Sequence, residues 1–210
     1  MTVAFQPSLL DGIDAPEPGP GALADLRRTT LSAGAWVDVL PGWFHGADAL
    51  FPLLFDDVPW RAERRSMYDR VVDVPRLVHT YGVGDALPHP SLARARAQLT
   101  RHYAGELGEP FVTAGCCFYR DGSDSVAWHG DTVGRGRSQD TMVAIVSFGS
   151  PRNLLLRPRG GRVEHGFALG HGDLVVMGGS CQRTWEHAVP KTARPVGPRI
   201  SVQFRPRNVF

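Results

Sequence analysis

The second half of the chain is cut into short apolar runs, and their spacing limits the fold more than any other feature. "FVTAGCCFYR", "SVAWH", "TMVAIVSFG", "NLLLRP", "VEHGFAL", "DLVVMG", "RTWEHAV" and "PRISVQFR" follow one another from Phe111 onward, with Gly, Pro, Asp or Asn between them. Eight short runs at roughly 8–12-residue spacing predict a β-sandwich or jelly roll rather than alternating strand–helix units. Apart from a doubled His–Gly–Asp tripeptide, no internal repeat is evident.

Upstream the character differs. Residues 1–34 are rich in Gly, Pro, Ala and Asp and read as a weakly structured arm, with at most one short helix near 21–28. "WVDVLPGWF" (36–44) reads as an extended segment entering a turn, and "ADALFPLLFDDV" as a short helix with Leu50, Leu53 and Leu54 on one face. "HPSLARARAQLTRHYAGEL" is the best helix: Leu92, Leu99, Tyr103 and Leu107 form one stripe, arginines oppose them, and Gly108 ends it. The expected class is α+β: a jelly-roll core over about 110–206 with flanking N-terminal helices, residues 35–210 forming a single domain.

With 210 residues and 42% hydrophobic side chains, the chain can bury a proper core. No apolar run approaches the ~18 residues of a membrane span, and no signal layout opens the chain, so no membrane partner is expected. Three cysteines without a CxxC pair fit a reducing, cytoplasmic location, and a monomer is expected. Charge is uneven: residues 1–119 carry 10 Lys and Arg against 14 Asp and Glu, residues 120–210 carry 13 against 7. Basic surface of this kind suits an anionic partner, although arginine-rich composition has other origins.

His129–Gly–Asp131 and His171–Gly–Asp173 are the two copies of the tripeptide. A facial-triad iron site needs two histidines and one carboxylate on adjacent corners. Residues two apart on a strand point the same way, so either copy could offer two ligands. The third must return from a distant strand. Between Asp131 and His187 there is room for four or five strands, whereas Asp173 is one hairpin away from His187. Gly170 and the run "LVVM" flank the second copy, as in a turn feeding a strand. The second copy therefore reads as a turn, and His129, Asp131 and His187 as the ligand set; a solvated turn is the competing reading of the first copy. In "RISVQFR", Arg199, Ser201, Gln203 and Arg205 share one face. That face is either an ordinary solvated one or, with an arginine at each end, a cradle for a dicarboxylate.

The blocks "FYRDGSDSVAWHGD", "SPRNLLLRPRGG", "GHGDLVVMGGSCQRTWEHAVP" and "RISVQFR" resemble, in order and spacing, the AlkB-type Fe(II)- and 2-oxoglutarate-dependent dioxygenases of the bacterial branch, over about residues 58–205. The resemblance implies a double-stranded β-helix with a nucleotide-recognition lid, here about 58–76. It implies iron ligation by His129, Asp131 and His187, and 2-oxoglutarate held by Arg199, Arg205 and Tyr119. Ser201 stands where the family commonly has asparagine, and so does Cys117, a poorer donor. Val133 replaces a frequent acidic residue that meets the base.

The implied reaction uses O2 and 2-oxoglutarate to hydroxylate an N-alkyl group on a nucleic-acid base, single-stranded or flipped out of a duplex, releasing formaldehyde and succinate. In the lid, Trp60, Met67 and Tyr68 are candidates to flank the base, with Arg61, Arg64 and Arg65 meeting phosphates. Arg135 and Arg137, and further on Arg157, Arg159 and Arg162, are further phosphate candidates; Trp128 and Trp185 are expected to pack around the iron pocket. Two other readings stay open: the same iron chemistry on a small molecule or protein side chain, and a non-catalytic nucleic-acid-binding module.

Overall fold

The computed structural model describes residues 17–67 and 70–209, with side-chain surroundings left out for 65–73. The expectations for Met67, Tyr68 and Arg65 as substrate contacts lie outside the described side chains.

All eight expected strands form: β7 (Thr113–Tyr119), β8 (Val126–His129), β9 (Val143–Gly149), β10 (Arg152–Pro158), β11 (His165–Leu169), β12 (Leu174–Gly179), β13 (Trp185–Val189) and β14 (Arg199–Arg205). Before them come β1 (Gly19–Pro20), β2 (Arg27–Thr30), β3 (Ala35–Leu40), β4 (Phe44–His45), α1 (Ala47–Asp57), β5 (Arg61–Met67), β6 (Arg70–Tyr81), α2 (Pro90–His102) and α3 (Ala104–Leu107); α4 (Cys181–Thr184) precedes β13. An eight-stranded sheet in the order β2-β3-β12-β9-β14-β7-β6-β5 faces a four-stranded sheet, β11-β10-β13-β8. This is the jelly roll that the run spacing predicts. No helix among the described residues is long and apolar enough to cross a membrane, and all three cysteines are free thiols.

Alternation explains why the large sheet is buried on both faces. Along β9, Val143 and Ile145 enter a core shared with Leu154, Leu156, Val175 and Trp185, while Ala144, Val146 and Phe148 join Leu50, Leu54, Leu92 and Leu99 beneath the helices. In α2 the stripe of Leu92, Ala95, Leu99 and then Tyr103 is fully buried. Truncating Leu99 to alanine there is expected to cost about 2–5 kcal/mol. Tyr103 donates its hydroxyl hydrogen to Asp38 at 2.9 Å, and Gly108, at φ +72°, ends α3 in the left-handed conformation.

Two expectations are corrected. In α1 the buried stripe is Ala47, Leu50, Phe51 and Leu54, and Leu53 is 43% exposed, because at 100° per residue it lies off the centre of that stripe. The arm is not weakly structured where it is described, nor helical near 21–28: β2 pairs along β3. "RRTT" has no apolar alternation to betray a strand; an edge strand needs only backbone bonds on one side. Arg28 anchors it to Asp38 at 2.8 Å and to Glu106.

Candidate metal centre

The last residue of β8, His129, sits directly opposite His187 of β13, in antiparallel register. Four strands, β9 to β12, separate them in sequence. Their rings lie 4.2 Å apart between centroids. Asp131 follows His129 by two residues, and one ligand atom from each of the three residues falls within 4.8 Å of the others. His129 Nε2 is 3.7 Å from Asp131 Oδ1.

Two of the three ligands, His129 and Asp131, are held from behind. His129 Nδ1 lies 2.8 Å from the Ala127 carbonyl. A carbonyl can only accept, so Nδ1 carries the proton and Nε2 presents a lone pair. Gln182, almost wholly buried on α4, accepts the Asp131 backbone N–H through Oε1 at 3.0 Å. Arg205 donates from Nε to Asp131 Oδ2 at 3.1 Å. Burial works to raise the Asp131 carboxyl, but Arg205, His187 and His129 outweigh it and hold it down to about 2. Burial, reinforced by His129, pushes the His187 imidazole down to about 3. Two imidazoles, the His187 ring kept neutral by burial, and an ionised carboxylate are the donor set a divalent iron ion takes.

One cavity is lined by the two histidines of this cluster and by the polar row of β14, with Arg76, Cys117, Tyr119, Arg199, Ser201, Gln203 and Arg205 among its walls. The register makes the row: Arg199 pairs with Tyr119, Ser201 with Cys117, Gln203 with Gly115. That face is therefore buried between sheets rather than solvated. Gly115 leaves room for the ends of two of these side chains: a Cβ there would lie 2.7 Å from Arg205 Nη1 and 3.0 Å from Gln203 Oε1.

Arg199 is 2% exposed and donates from Nη2 to Ser147 Oγ at 2.8 Å, yet its Nε and Nη1 have no partner. Arg152 shows how a purely structural buried arginine behaves in this protein: it donates to the carbonyls of Asp121, Asp124 and Pro190. An unpartnered buried guanidinium is costly, and a bound carboxylate is what satisfies it. The residues present thus fit both an iron ion and a dicarboxylate cosubstrate.

The other candidates fall elsewhere. Trp60 packs on Phe118, ring centroids 5.5 Å apart, and its indole N–H donates to the Phe55 carbonyl; neither it nor exposed Arg61 is among the walls of the metal cavity. Arg135 pairs with Glu109 at 2.7 Å, and Arg137 is exposed. Val133 is 64% exposed. Neither tryptophan expected around the iron pocket is among its walls: Trp185 is core, and Trp128 lies under Arg157, whose guanidinium is 4.3 Å from its ring centroid. The second tripeptide is a turn: Asp173 accepts N–H bonds from Gly170 and Gly42, His171 from Gly149, and Gly172 has φ +79°.

Sequence reasoning missed Gln182, Ser147 and Arg76. Arg76 donates to the Cys117 sulfur at 3.4 Å and to the Ser125 carbonyl at 3.0 Å. Its only sequence signal is an arginine flanked by apolar residues in "VPRLV".

A jelly roll carrying two histidines and an aspartate at one end of a cavity, and a free buried arginine in its wall, defines a non-haem iron oxygenase that uses an organic acid. Residues 54–205 match the model of the 2OG-Fe(II) oxygenase superfamily, and the chain belongs to that family. Its relatives are of the AlkB type. It is 30% identical over 178 residues to alpha-ketoglutarate-dependent dioxygenase alkB homolog 3 of Homo sapiens, covering 76% of this chain and 61% of that one. It is 25% identical over 178 residues to DNA oxidative demethylase ALKBH2 of Homo sapiens, covering 76% and 68%. The chain thus spans about three fifths of the length of the first of these relatives. Among solved structures, OsALKBH1 superposes with a TM-score of 0.58 at 15% identity, over 86% of this chain and 100% of that one. A Pseudomonas putida prolyl-4-hydroxylase does so at 0.56 and 18%, over 81% and 92%. These two likenesses speak to the fold.

Proposed function

We propose that this protein removes N-alkyl groups from nucleic-acid bases by Fe(II)- and 2-oxoglutarate-dependent hydroxylation. The observation that carries the reading is the Arg199 guanidinium, buried with two nitrogens lacking a hydrogen-bond partner in the wall of the cavity that His129 and His187 also line, with Asp131 beside them. The substrate class is supported by the relative named a DNA oxidative demethylase and by the arginines at 135, 137 and 159 near the ligand loop.

His129, Asp131 and His187 would hold the metal, and Arg199 the distal carboxylate of 2-oxoglutarate, with Tyr119 and Ser201 beside it. Cys117, receiving a bond from Arg76, takes the place of a stronger amide partner for the cosubstrate. Iron and cosubstrate together supply an oxidant that, with O2, converts an N-methyl group to formaldehyde while 2-oxoglutarate becomes succinate and carbon dioxide. The chain's own part is positional. Gln182 fixes the Asp131 backbone and Arg205 its carboxylate, the Ala127 carbonyl fixes the His129 ring, and Ile145, Leu154 and Leu169 give the cavity an apolar wall. The base must be single-stranded or flipped to enter.

The test is mass spectrometry of single-stranded DNA and RNA oligonucleotides carrying 1-methyladenine or 3-methylcytosine, incubated with protein, Fe(II), ascorbate and 2-oxoglutarate. Methyl loss that depends on 2-oxoglutarate supports the reading and ranks DNA against RNA. Succinate formation without methyl loss from any of them would remove the base-dealkylation reading.

A further inference from the structure

Cys117 has surroundings that neither of the other two thiols shares. It lines the cavity of the metal centre, whereas Cys116, its neighbour on β7, belongs to the core beneath the helices, and Cys181 to the core that Leu154 and Trp185 also fill. Cys116 and Cys181 are 1% and 2% exposed. Burial pushes both thiols up, that of Cys181 to about 12. A thiol that keeps its proton is a poor nucleophile, which leaves these two inert. Cys117 is half-buried, and its cavity reaches solvent at the metal end, where the His129 side chain is 35% exposed.

Two guanidinium groups bear on the Cys117 sulfur. Arg76 donates to it from Nε at 3.4 Å, and from Nη1 to the Ser125 carbonyl; neither acceptor is a carboxylate. On the adjoining strand, Arg199 is 2% exposed with Nε and Nη1 unpartnered, and Cys117 lies close enough to act on it electrostatically. The thiol hydrogen itself goes to Gln203 Oε1 at 3.7 Å. The orphaned Arg199 nitrogens mark this wall as one that takes an anion, and Cys117 is the group in it that oxidation turns into an oxygen-bearing acceptor. The asparagine that the family resemblance leads one to expect at 117 has no such chemistry.

We propose that Cys117 is a peroxide-reactive modification site that switches this cavity off: hydrogen peroxide converts its thiol to the sulfenic acid, and the added oxygen, held by Arg76 and Arg199, occupies the place of an incoming carboxylate. The sulfur attacks one peroxide oxygen. An S–O bond forms as the O–O bond breaks, the thiol proton joins the departing hydroxide, and water leaves; sulfur loses two electrons and the peroxide gains them. Neither Cys116 nor Cys181 lines the cavity, so the sulfenic acid meets no partner thiol there. A small thiol such as dithiothreitol reverses the change, displacing water to form a mixed disulfide from which a second thiol frees Cys117. The modification rests on the surroundings of Cys117 alone; the switch rests also on the reading of this cavity as the cosubstrate site.

The test reads the two separately. The full chain, loaded with zinc in place of iron so that the metal does not decompose the oxidant, is treated with hydrogen peroxide and then dimedone, digested, and mapped by mass spectrometry. Dimedone is expected on Cys117, and not on Cys116 or Cys181. Arg76→Met should slow that labelling severalfold. 2-Oxoglutarate at about 100 times its Kd should slow it about 100-fold, because only the unbound fraction reacts. After peroxide, the rise in melting temperature that 2-oxoglutarate gives the zinc-loaded chain should vanish, and dithiothreitol should restore it. In Cys117→Ser that rise, whatever its size, should be the same before and after peroxide. Neither dimedone nor added oxygen on Cys117 would overturn the site. Labelled Cys117 with an undiminished 2-oxoglutarate shift would overturn the switch. No shift from 2-oxoglutarate before any peroxide, with Cys117 still labelled, would discard the cosubstrate reading and the switch with it, and keep the modification.

Discussion

Replacing Arg199 by methionine should move stability and cosubstrate affinity in opposite directions. Without cosubstrate, the guanidinium is a nearly fully buried cation with one hydrogen bond from Nη2, to Ser147, and two unpartnered nitrogens. Exchanging a buried charge for an apolar side chain of similar volume is often neutral or stabilising by about 1–4 kcal/mol, and methionine avoids opening a cavity. Setting the lost Ser147 bond against the relieved desolvation leaves a gain on the order of 1 kcal/mol, or about 2–4 °C in Tm for a chain of this size. With cosubstrate the sign reverses. Removing one partner of a buried charge pair costs about 2–5 kcal/mol; at about 3 kcal/mol, 2-oxoglutarate binds roughly 150-fold more weakly. At a concentration 100 times the wild-type Kd, the ligand stabilises wild type by about 2.7 kcal/mol and the variant by about 0.3 kcal/mol. Calorimetric melting of metal-loaded protein under nitrogen, with and without 2-oxoglutarate, reads both effects. A variant that melts earlier in its absence, and still gains the full wild-type shift on adding it, would refute the argument and make Arg199 structural.

His187→Ala should abolish turnover and tight metal binding while the far-ultraviolet circular dichroism stays native; retained metal content and activity would remove His187 from the ligand set. Gln182→Ala strands the buried Asp131 N–H, an expected cost of about 1–3 kcal/mol in stability, and loosens the carboxylate, for about 10–100-fold in metal affinity by equilibrium dialysis. Metal-free protein should lose stability in acid in two stages. Below pH 6.5 the unfolded chain protonates His187 whereas the folded site, down to about 3, resists, so stability drains away across that window. Below the ordinary carboxylate value of 3.8, Asp131, held down to about 2, adds a loss of the same sign. Denaturant melts from pH 7 to 3 test this against His187→Ala, whose dependence between 6.5 and 4 should be shallower.

Most of the core was legible because its signals are local. A period of two marks a strand wherever it lies, and each of the eight runs became one. The turn at Gly170–Asp173 was legible for the same reason: its bonds to Gly170 and its left-handed Gly172 belong to four neighbouring residues. The ligand set was legible because a histidine and a carboxylate two apart, with a third ligand returning after four intervening strands, are a chain-length constraint, although Asp131 lies just past the end of β8 and not on it. "RRTT" was not legible as β2, since an edge strand is chosen by its neighbour. Nor were Gln182, Ser147 and Arg76, polar residues whose meaning comes only from what they face.

Sequence alone therefore determined the eight core strands and the jelly roll, and offered the triad, because periodicity, turn chemistry and spacing are properties of short stretches of chain. Tertiary structure alone decided which polar groups end up dry. The row Arg199–Ser201–Gln203 could have been an ordinary solvated face, but β14 lies in the middle of an eight-stranded sheet, flanked by β9 and β7 and covered by the second sheet. Arg135, Arg159 and Arg183, spread over three segments, meet around one cavity only when the sheets close. Burial depends on every neighbour at once, and burial turns an arginine from a solvated charge into one that needs an anion.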